Sequence, residues 1–256
     1  MWLPLDNCQQ QTKVPFPVDV FSDPNHAWPA AVIFDFDGVL VNSEPLHFYA
    51  MHEILEHEKI QLTETEYYEE LLGMTDQDSF KLIYQKRARP LEPGVLLRLL
   101  THKNETMMDL IFRRQLKPLP GVEEFVRWLW RRCPLAICSG ARSEELDATL
   151  TVLALRDCFS VVVGADDYPI GKPDPRVYRH TFELLQVKAG HPIKASACMV
   201  VEDSPAVINR LRPEGFPILA VTNSRPAAAL KAADWVVGDL QLTTVAHAIP
   251  QLKPRA

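Results

Sequence analysis

The feature that most constrains the fold of this chain is an alternation between short, continuously apolar runs and longer segments of helical period. A strand that is apolar at every position is buried on both faces, as the strands of parallel sheets are. Such strands, alternating with amphipathic helices, form a parallel sheet with helices on both sides. The sequence therefore predicts an α/β fold. The predicted strands lie within residues 31–36, 135–140, 159–165, 197–203, 216–223 and 235–239.

One stretch after the first predicted strand breaks this alternation. Residues 46–117 contain no convincing strand and at least three helical stretches, and turn-forming residues flank them on both sides. We predict an all-helical cap at 46–117 that lies over the carboxyl ends of the strands, a core at 30–45 and 118–256, and an N-terminal arm at 1–29. The apolar residues of the longest helical stretch that fall near one face are Leu96, Leu100, Met107 and Ile111.

Composition narrows the choice of partner. The 256-residue chain has a formal net charge of -6 and no run of Lys or Arg, which argues against nucleic-acid binding because phosphate backbones are bound through clustered positive charge. No segment approaches the length of a membrane span, and the N-terminus has no basic region followed by an apolar stretch. We therefore expect a cytoplasmic protein, a monomer by default, that binds a small soluble molecule and neither nucleic acid nor membrane.

Polar side chains follow four of the predicted strands, at the point where each strand ends. Ligands of parallel sheets bind beyond these carboxyl ends, so the side chains share one crevice. Several carboxylates in one crevice repel one another unless a cation lies among them, and their hard oxygen ligands favour Mg²⁺. The sequence thus predicts a magnesium site. The residues concerned are Asp35 and Asp37 after the first strand, Ser139 after the second, Lys172 after the third, and Glu202 and Asp203 after the fourth.

The two aspartates that follow the first strand suit attack on phosphorus. A carboxylate can act as a covalent nucleophile and form an aspartyl-phosphate, provided that Mg²⁺ or an ammonium group shields its charge. A second carboxylic acid can protonate the leaving alcohol and then deprotonate water. Asp35 and Asp37 supply both groups if the backbone bends after the strand, and Gly38 is suited to that bend.

Two predicted helices begin where strands end. Ser204 is a suitable N-cap with Pro205 at the first helical position, and Asp174 with Pro175 repeats the arrangement. The positive N-terminal ends of these helices favour an anion in the crevice.

Four motifs resemble those of one family. They are DFDGVLVNSEPLH at 35–47, ICSGARS at 137–143, GKPDP at 171–175 and VVEDSP at 200–205. In this order they resemble the haloacid dehalogenase superfamily, specifically its phosphatase and β-phosphoglucomutase branch, and the similarity runs from about residue 31 to 240. The resemblance implies a Rossmann-like core with an inserted helical cap, Mg²⁺ as cofactor and a small phosphorylated metabolite as partner.

The resemblance also implies roles for individual residues. Asp35 would be the nucleophile, Asp37 the general acid and base, and Lys172 the group that neutralises nucleophile and phosphate. Ser139 and the following amides, beginning with that of Gly140, would hold phosphate oxygens, and His47 would face the substrate. The implied metal ligands are Asp35, the main-chain carbonyl of Asp37, Glu202 and Asp203.

Two features of the sequence narrow the choice among the reactions of this superfamily. Dehalogenases of the superfamily lack the second aspartate, so Asp37 argues against dehalogenation. The mutases carry a lysine before a cap glycine and an arginine three residues after it, whereas this chain has Leu72 before Gly73 and Asp76 three after it. We therefore predict a phosphatase whose leaving group is neutral, such as a sugar or another polyol. A β-phosphoglucomutase-type mutase and a catalytically weak binding or regulatory protein remain the alternatives.

Overall fold

The computed structural model describes residues 28–72 and 74–252. Its six strands form one parallel sheet in the order β3-β2-β1-β4-β5-β6, and each lies within a predicted strand. The predicted α/β fold is confirmed. Most of the predicted arm, at 1–27, and Gly73 of the cap lie outside the described residues. The strands are β1 (Ala31–Phe34), β2 (Leu135–Cys138), β3 (Val161–Val163), β4 (Cys198–Glu202), β5 (Ile218–Val221) and β6 (Trp235–Val237).

The first strand lies at the centre of the sheet and fixes where a ligand can bind. Ile33 of β1 is in register with Ala136 of β2 on one side and with Val200 of β4 on the other. The chain therefore runs to one side of β1 for β2 and β3, and to the other side for β4 to β6. Such a reversal of strand order opens a crevice at the carboxyl ends of the strands.

Helices cover both faces of the sheet, and short 3₁₀ turns lie between several of the helices and strands. None of the helices within the described part of the chain combines the length and apolarity that a membrane crossing needs. The helices are α1 (Glu44–His57), α2 (Glu64–Glu66), which continues as a π-helical turn (Tyr67–Leu71), α3 (Asp76–Lys86), α4 (Pro93–Phe112), α5 (Val122–Trp130), α6 (Ser143–Val152), α7 (Pro175–Ala189), α8 (Pro205–Leu211) and α9 (Leu242–Ala248). The 3₁₀ turns are Arg156–Cys158, Ala195–Ala197, Arg212–Glu214, Ala227–Ala229 and Pro250–Leu252.

Two apolar cores lie on opposite faces of the sheet, as the continuously apolar strands require. In β1, Val32 and Phe34 pack with α5, α6 and α9, whereas Ala31 and Ile33 pack with α7 and α8. Successive side chains of a strand point to opposite faces, which explains this division. A sheet buried on both faces leaves its carboxyl edge as the surface on which polar groups can gather.

The segment between β1 and α5 has an apolar core of its own. From α1 to α4 its described residues form helical elements, and these bury a separate cluster drawn from α1, the π-helical turn, α3 and α4. The face of α4 differs from the predicted one, because Leu96 and Leu100 are only partly buried. Its fully buried positions are Leu99, Lys103, Met107 and Ile111, which recur every four residues and include a lysine.

The two predicted helix starts are both found, with different caps. Helix α7 begins at Pro175, and the Asp174 carboxylate accepts a hydrogen bond from the Arg176 amide. Helix α8 begins at Pro205, but the Ser204 side chain makes no capping hydrogen bond, contrary to the prediction. The Ser204 amide instead donates to the side chain of Glu202.

Candidate active site

The centre of the site is a lysine held between two carboxylates. Asp35 directly follows β1, and its amide extends the strand by donating to Val201 in β4. Lys172 reaches it from the loop before α7, so that Lys172 Nζ lies 2.6 Å from Asp35 Oδ1 and 2.9 Å from Glu202 Oε1. Burial disfavours the ammonium, yet the charges of Asp35 and Glu202 outweigh it and raise the pKa of Lys172. The lysine is therefore charged throughout the physiological range.

Three predicted carboxylates gather beside this lysine. Oxygen atoms of Asp35, Glu202 and Asp203 lie within 4.8 Å of one another, and all three residues are buried. Burial raises the pKa of Asp35 and raises that of Asp203 to about 6, although a hydrogen bond from Ser224 opposes the rise at Asp203. Because one ammonium cannot balance three carboxylates, the cluster has the charge and the oxygen donors that suit a divalent cation.

The second aspartate reaches the same crevice because the chain turns at Gly38. Phe36 packs into the core between the two aspartates, and Gly38 has φ +77°, a left-handed conformation that favours glycine. A Cβ atom at Gly38 would lie 1.8 Å from Asp203 Oδ2, so the turn also needs the missing side chain for space. Gly38 thus permits both the predicted bend and the close approach of Asp203.

Asp37 occupies a partly buried position with a neighbouring donor. Its Oδ1 accepts a hydrogen bond from the Ser43 hydroxyl. Burial raises the pKa of Asp37 to about 6, against the opposing effects of the nearby His47 and of the Ser43 hydrogen bond. A carboxyl group with this pKa exchanges its proton near neutral pH.

A pocket of about 540 Å³ opens between the core and the helical segment. Of the predicted site residues, Asp37 and Asp203 line it. Further lining residues come from the loop after β5, which the sequence reasoning missed although that loop also follows a strand end. The Asn223 side chain there donates to the Gly38 carbonyl at 2.9 Å. The lining residues outside the predicted set are Gly38, Asn42, Ser43, Glu44, Tyr68, Leu72, Leu119, Asn223, Ser224 and Arg225.

The π-helical turn supplies two tyrosines to this pocket region. Tyr68 lines the pocket, and the Tyr67 hydroxyl donates to Glu44 Oε1 at 2.6 Å. The turn is defined by a hydrogen bond from the Leu72 amide to the Tyr67 carbonyl, five residues earlier. Turns of this kind frequently occur at functional sites. Nothing in the local sequence indicates the extra residue.

The predicted phosphate-binding residues follow β2. Ser139 is buried, and its amide donates to the Val163 carbonyl at 2.9 Å. Its hydroxyl accepts from the Ala141 amide at 3.0 Å, and Gly140 between them is exposed. The loop therefore lies at the carboxyl edge, as predicted, with Ser139 engaged in contacts to its own loop and to β3.

His47 lies in a polar network between the helical segment and the core. Its Nδ1 accepts from Lys103 at 2.7 Å, and its Nε2 lies 3.3 Å from Glu145 on α6. Lys103 also binds Asp76 Oδ1 at 2.5 Å and is 3% exposed. The sequence reasoning missed Lys103, although its place between Leu99 and Met107 on the apolar stripe of α4 was a usable signal. Asp76, noted in the sequence as an acid three residues after Gly73, gave no sign of its pairing with Lys103.

The matches to known proteins agree with this geometry. A sequence model of the family described as haloacid dehalogenase-like hydrolase matches residues 32–221. The chain belongs to the haloacid dehalogenase-like hydrolase family. It is 29% identical over 195 residues to a fructose-1-phosphate phosphatase of Escherichia coli, a match that covers 75% of this chain and 96% of that relative. It is 30% identical over 187 residues to a phosphorylated carbohydrates phosphatase of Thermotoga maritima, covering 73% and 82%.

A solved structure supports the fold. The β-phosphoglucomutase of Clostridium difficile superposes with a TM-score of 0.68 at 20% identity, over 87% of this chain and 96% of that one. The matches together confirm the predicted superfamily and its phosphatase and mutase branch, and they confirm the predicted enzyme class, a phosphatase of that superfamily. At this identity the structural likeness supports the α/β architecture alone.

Proposed function

We propose that this enzyme hydrolyses small sugar or polyol phosphate monoesters, with Mg²⁺, through an aspartyl-phosphate intermediate on Asp35. The observation that carries the proposal is the position of Lys172 Nζ, 2.6 Å from Asp35 Oδ1 within a buried group of carboxylates. A carboxylate shielded by a lysine at a strand end is suited to attack phosphorus.

The residues present fit the proposed metal. Asp35 and Asp203, together with the main-chain carbonyl of Asp37, offer hard oxygen ligands, and Glu202 lies in the same cluster. When bound, Mg²⁺ would neutralise the charge of the phosphoryl oxygens and of the carboxylates around it.

Asp35 and Asp37 divide the chemistry between them. A carboxylate oxygen of Asp35 forms a bond to phosphorus while the bond from phosphorus to the ester oxygen breaks, and Asp37 gives its proton to that oxygen. Asp37 then takes a proton from water, which attacks the aspartyl-phosphate and releases inorganic phosphate and free Asp35. The pKa of about 6 suits Asp37 to both proton transfers near neutral pH.

The remaining predicted residues would hold the phosphoryl group. Lys172 contacts Asp35 and would also neutralise an incoming phosphate oxygen. The amides after Ser139, including that of Gly140, would donate to phosphate oxygens from the loop between β2 and α6. The helical segment at 46–117 would act as a cap that closes the pocket and excludes bulk water during the first step.

The charges of the cap support a neutral leaving group. Lys103, a buried cation of the cap, is neutralised by the Asp76 carboxylate and also donates a hydrogen bond to His47. Glu44, just before the cap, and Tyr68 within it line the pocket, and both can exchange hydrogen bonds with hydroxyl groups. The E. coli and T. maritima relatives are named for phosphorylated sugars or carbohydrates, in keeping with this class. Arg225, on the core side of the pocket, is the feature that would favour an additional anionic group.

The test is release of inorganic phosphate from a panel of sugar, polyol, carboxylate-bearing and bisphosphate esters, with Mg²⁺ or with EDTA. We expect release from neutral sugar or polyol esters that requires Mg²⁺ and falls by at least about 10³-fold in Asp35→Asn. Asp147→Asn is the matched control, because Asp147 is exposed and pairs with Arg156 on the surface. Release that is indifferent to Asp35 would contradict the proposal.

Two other outcomes would favour the alternatives. Isomerisation of a sugar 1-phosphate that depends on a sugar bisphosphate would identify a mutase. Binding of the esters without release of phosphate from any of them would identify a binding protein that retains the pocket.

A further inference from the structure

Glu202 is the most heavily hydrogen-bonded side chain of the site. Its Oε1 accepts from Lys172 Nζ at 2.9 Å and from the Tyr178 hydroxyl at 2.8 Å. Its Oε2 accepts from the amides of Asp203 and Ser204, both at 2.8 Å. Two carboxylate oxygens offer about four acceptor positions, so protein donors fill the capacity of this side chain. Glu202 is 0% exposed, so these four hydrogen bonds take the place of water and offset the cost of burying its charge.

We propose that Tyr178 is a positioning residue of the active site: its hydroxyl fixes Glu202, and Glu202 in turn holds Lys172 against Asp35. This inference rests on the proposed function, in which Lys172 shields the nucleophile. Tyr178 touches neither the pocket nor the carboxylate of Asp35, so its influence passes through the other two side chains.

The surroundings of Tyr178 show why its hydroxyl matters. The side chain is completely buried on α7, among apolar residues of the core that includes Val177 and Leu185. A buried hydroxyl is costly unless it is hydrogen-bonded, and phenylalanine would fill the same apolar space without that cost. The hydroxyl in this place therefore has a specific partner, and that partner is a carboxylate bound to the lysine of the site.

The ring of Tyr178 also contacts the lysine. Lys172 Nζ lies 4.9 Å from the ring centroid, in addition to its bonds with Asp35 and Glu202. The ammonium is thus enclosed by two carboxylates and an aromatic face, and two of these three groups depend on where Tyr178 lies. When a phosphoryl group is added to Asp35, Glu202 would keep the ammonium in place.

This arrangement gives Glu202 a role different from direct metal ligation. Its four bonds to protein donors anchor Lys172, whereas Asp35 and Asp203 retain capacity for a cation. We therefore expect removal of the Tyr178 hydroxyl to disturb Lys172 and the catalytic rate more than the affinity for Mg²⁺.

The first test compares Tyr178→Phe with Tyr84→Phe. Tyr84 is also a buried tyrosine whose hydroxyl faces a glutamate, Glu58 at 3.4 Å, but it belongs to the cap core away from the site. We expect Tyr178→Phe to lower kcat by about 10-fold with KM for the ester nearly unchanged, as substitutions behind an active-site shell often do. Mg²⁺ affinity, measured by calorimetry, should fall by much less than kcat does, because the Asp35 and Asp203 carboxylates keep their places. Tyr84→Phe should resemble wild type in each respect.

A second readout does not require turnover. The rate at which an amine-reactive reagent modifies Lys172, measured by mass spectrometry, should rise at least about threefold in Tyr178→Phe while the other lysines are modified at wild-type rates. A rise at all lysines would show general loosening and would overturn the positioning role. If the wild-type enzyme hydrolyses no ester, the proposed function is refuted. The labelling rate still tests whether Tyr178 holds Lys172 through Glu202, because it does not depend on turnover.

A double-mutant cycle separates action through Glu202 from an independent effect. Glu202→Gln keeps the size of the side chain and removes its charge. If Tyr178 acts through Glu202, adding Tyr178→Phe to Glu202→Gln lowers kcat little further. The proposal is overturned if the two substitutions lower kcat by the full product of their separate effects. It is also overturned if Tyr178→Phe leaves both kcat and Lys172 labelling at their wild-type values.

Discussion

The carboxyl edge of the sheet and the cap each bury a lysine against acidic side chains, and the two lysines differ in what their partners can do. Lys172 binds Asp35 and Glu202 in a cluster with Asp203, beside a pocket that Asp37 and Asp203 line. Lys103 binds Asp76 and His47 inside the polar contact between the cap and α6. A buried lysine is therefore not by itself an anion-binding group. Position decides what each lysine can do: Lys172 pairs with carboxylates beside the pocket, whereas Lys103 pairs with Asp76 inside the contact between the cap and α6.

We propose that the sheet edge carries out the chemistry and that the cap selects the substrate. Changes at the edge should reduce the rate for all esters together. Changes in the cap should alter the relative rates for different esters.

The largest effect is expected at the turn after β1. Gly38→Ala should lower activity toward every ester by about 10²-fold and weaken Mg²⁺ binding, because the new Cβ would displace the Asp203 carboxylate that lies 1.8 Å from its position. Phosphate release and calorimetric Mg²⁺ titration measure the two effects. The relative rates for different esters should not change.

A matched substitution separates this steric effect from backbone strain. Gly190 has φ +75°, close to the +77° of Gly38, but a Cβ at Gly190 would meet no atom within 4 Å. Gly190→Ala should therefore lose about 1–2 kcal/mol of stability from the left-handed conformation alone and keep full activity. Equal loss of activity in the two variants would show that strain, and not the approach of Asp203, accounts for the result at Gly38.

An intermediate effect is expected from the cap lysine. Asp76→Ala removes the carboxylate that neutralises Lys103. The ratio of kcat/KM for bisphosphate over neutral esters should therefore rise by about fivefold, equivalent to about 1 kcal/mol. Steady-state kinetics with one ester of each kind measures this ratio.

Asp78→Ala is the control for charge at the start of α3. Asp78 lies on the same first turn but contacts Thr75 and Lys81, away from Lys103. The ester ratio should stay at its wild-type value in this variant. If Asp76→Ala lowers all rates alike, the cap contributes to the chemistry and the division stated above fails.

The smallest effect concerns how α2, which leads into the π-helical turn, is attached to the end of α3. Arg87 donates to Glu66 Oε1 at 2.9 Å and to Oε2 at 2.6 Å, and these bonds lower the pKa of Glu66 below its usual 4.5. A carboxylate with a lowered pKa in the folded state stabilises the fold above its ordinary pKa, and the contribution is lost as pH falls through the lowered value.

Glu66→Gln should accordingly reduce Tm by about 2–4 °C above pH 4.5, and the difference from wild type should vanish as the pH falls below the lowered pKa of Glu66. Thermal unfolding followed by circular dichroism across this pH range measures it. Glu69→Gln, in the π-helical turn that follows α2, should match wild type at every pH. A difference that persists unchanged into acid would exclude the ion pair as its cause.

The same division explains what could be predicted from the sequence. The strands and the grouping of Asp35, Lys172, Glu202 and Asp203 could be predicted because short apolar runs and strand-end residues obey rules that act over a few positions. Gly38 could be predicted because a turn there needs a residue that tolerates positive φ. These features depend on local chemistry and on the shared edge of a parallel sheet.

Contacts between distant segments could not be predicted in this way. Lys103 meets His47 across 56 positions of the chain, and the Tyr178 hydroxyl meets Glu202 across 24. Each pairing depends on how whole helices pack, which no short stretch specifies. Asn223 and Ser224 are a different case, because they follow β5 and the strand-end rule that located Asp203 applies to them equally.

The π-helical turn has a genetic consequence. Its hydrogen bonds span five residues where an α-helix spans four, so the turn carries one residue more than an α-helix of the same height. Loss of a single codon within Tyr67–Leu71 would restore the α-helical register and rotate the residues on one side of the deletion by about 100° relative to the other. Tyr68 would then leave the pocket wall, or Tyr67 would leave Glu44, while Asp35, Asp37 and Lys172 stayed unchanged. A one-codon deletion in this turn would therefore change the side chains that line the pocket and leave the residues at the strand ends in sequence and register as they are.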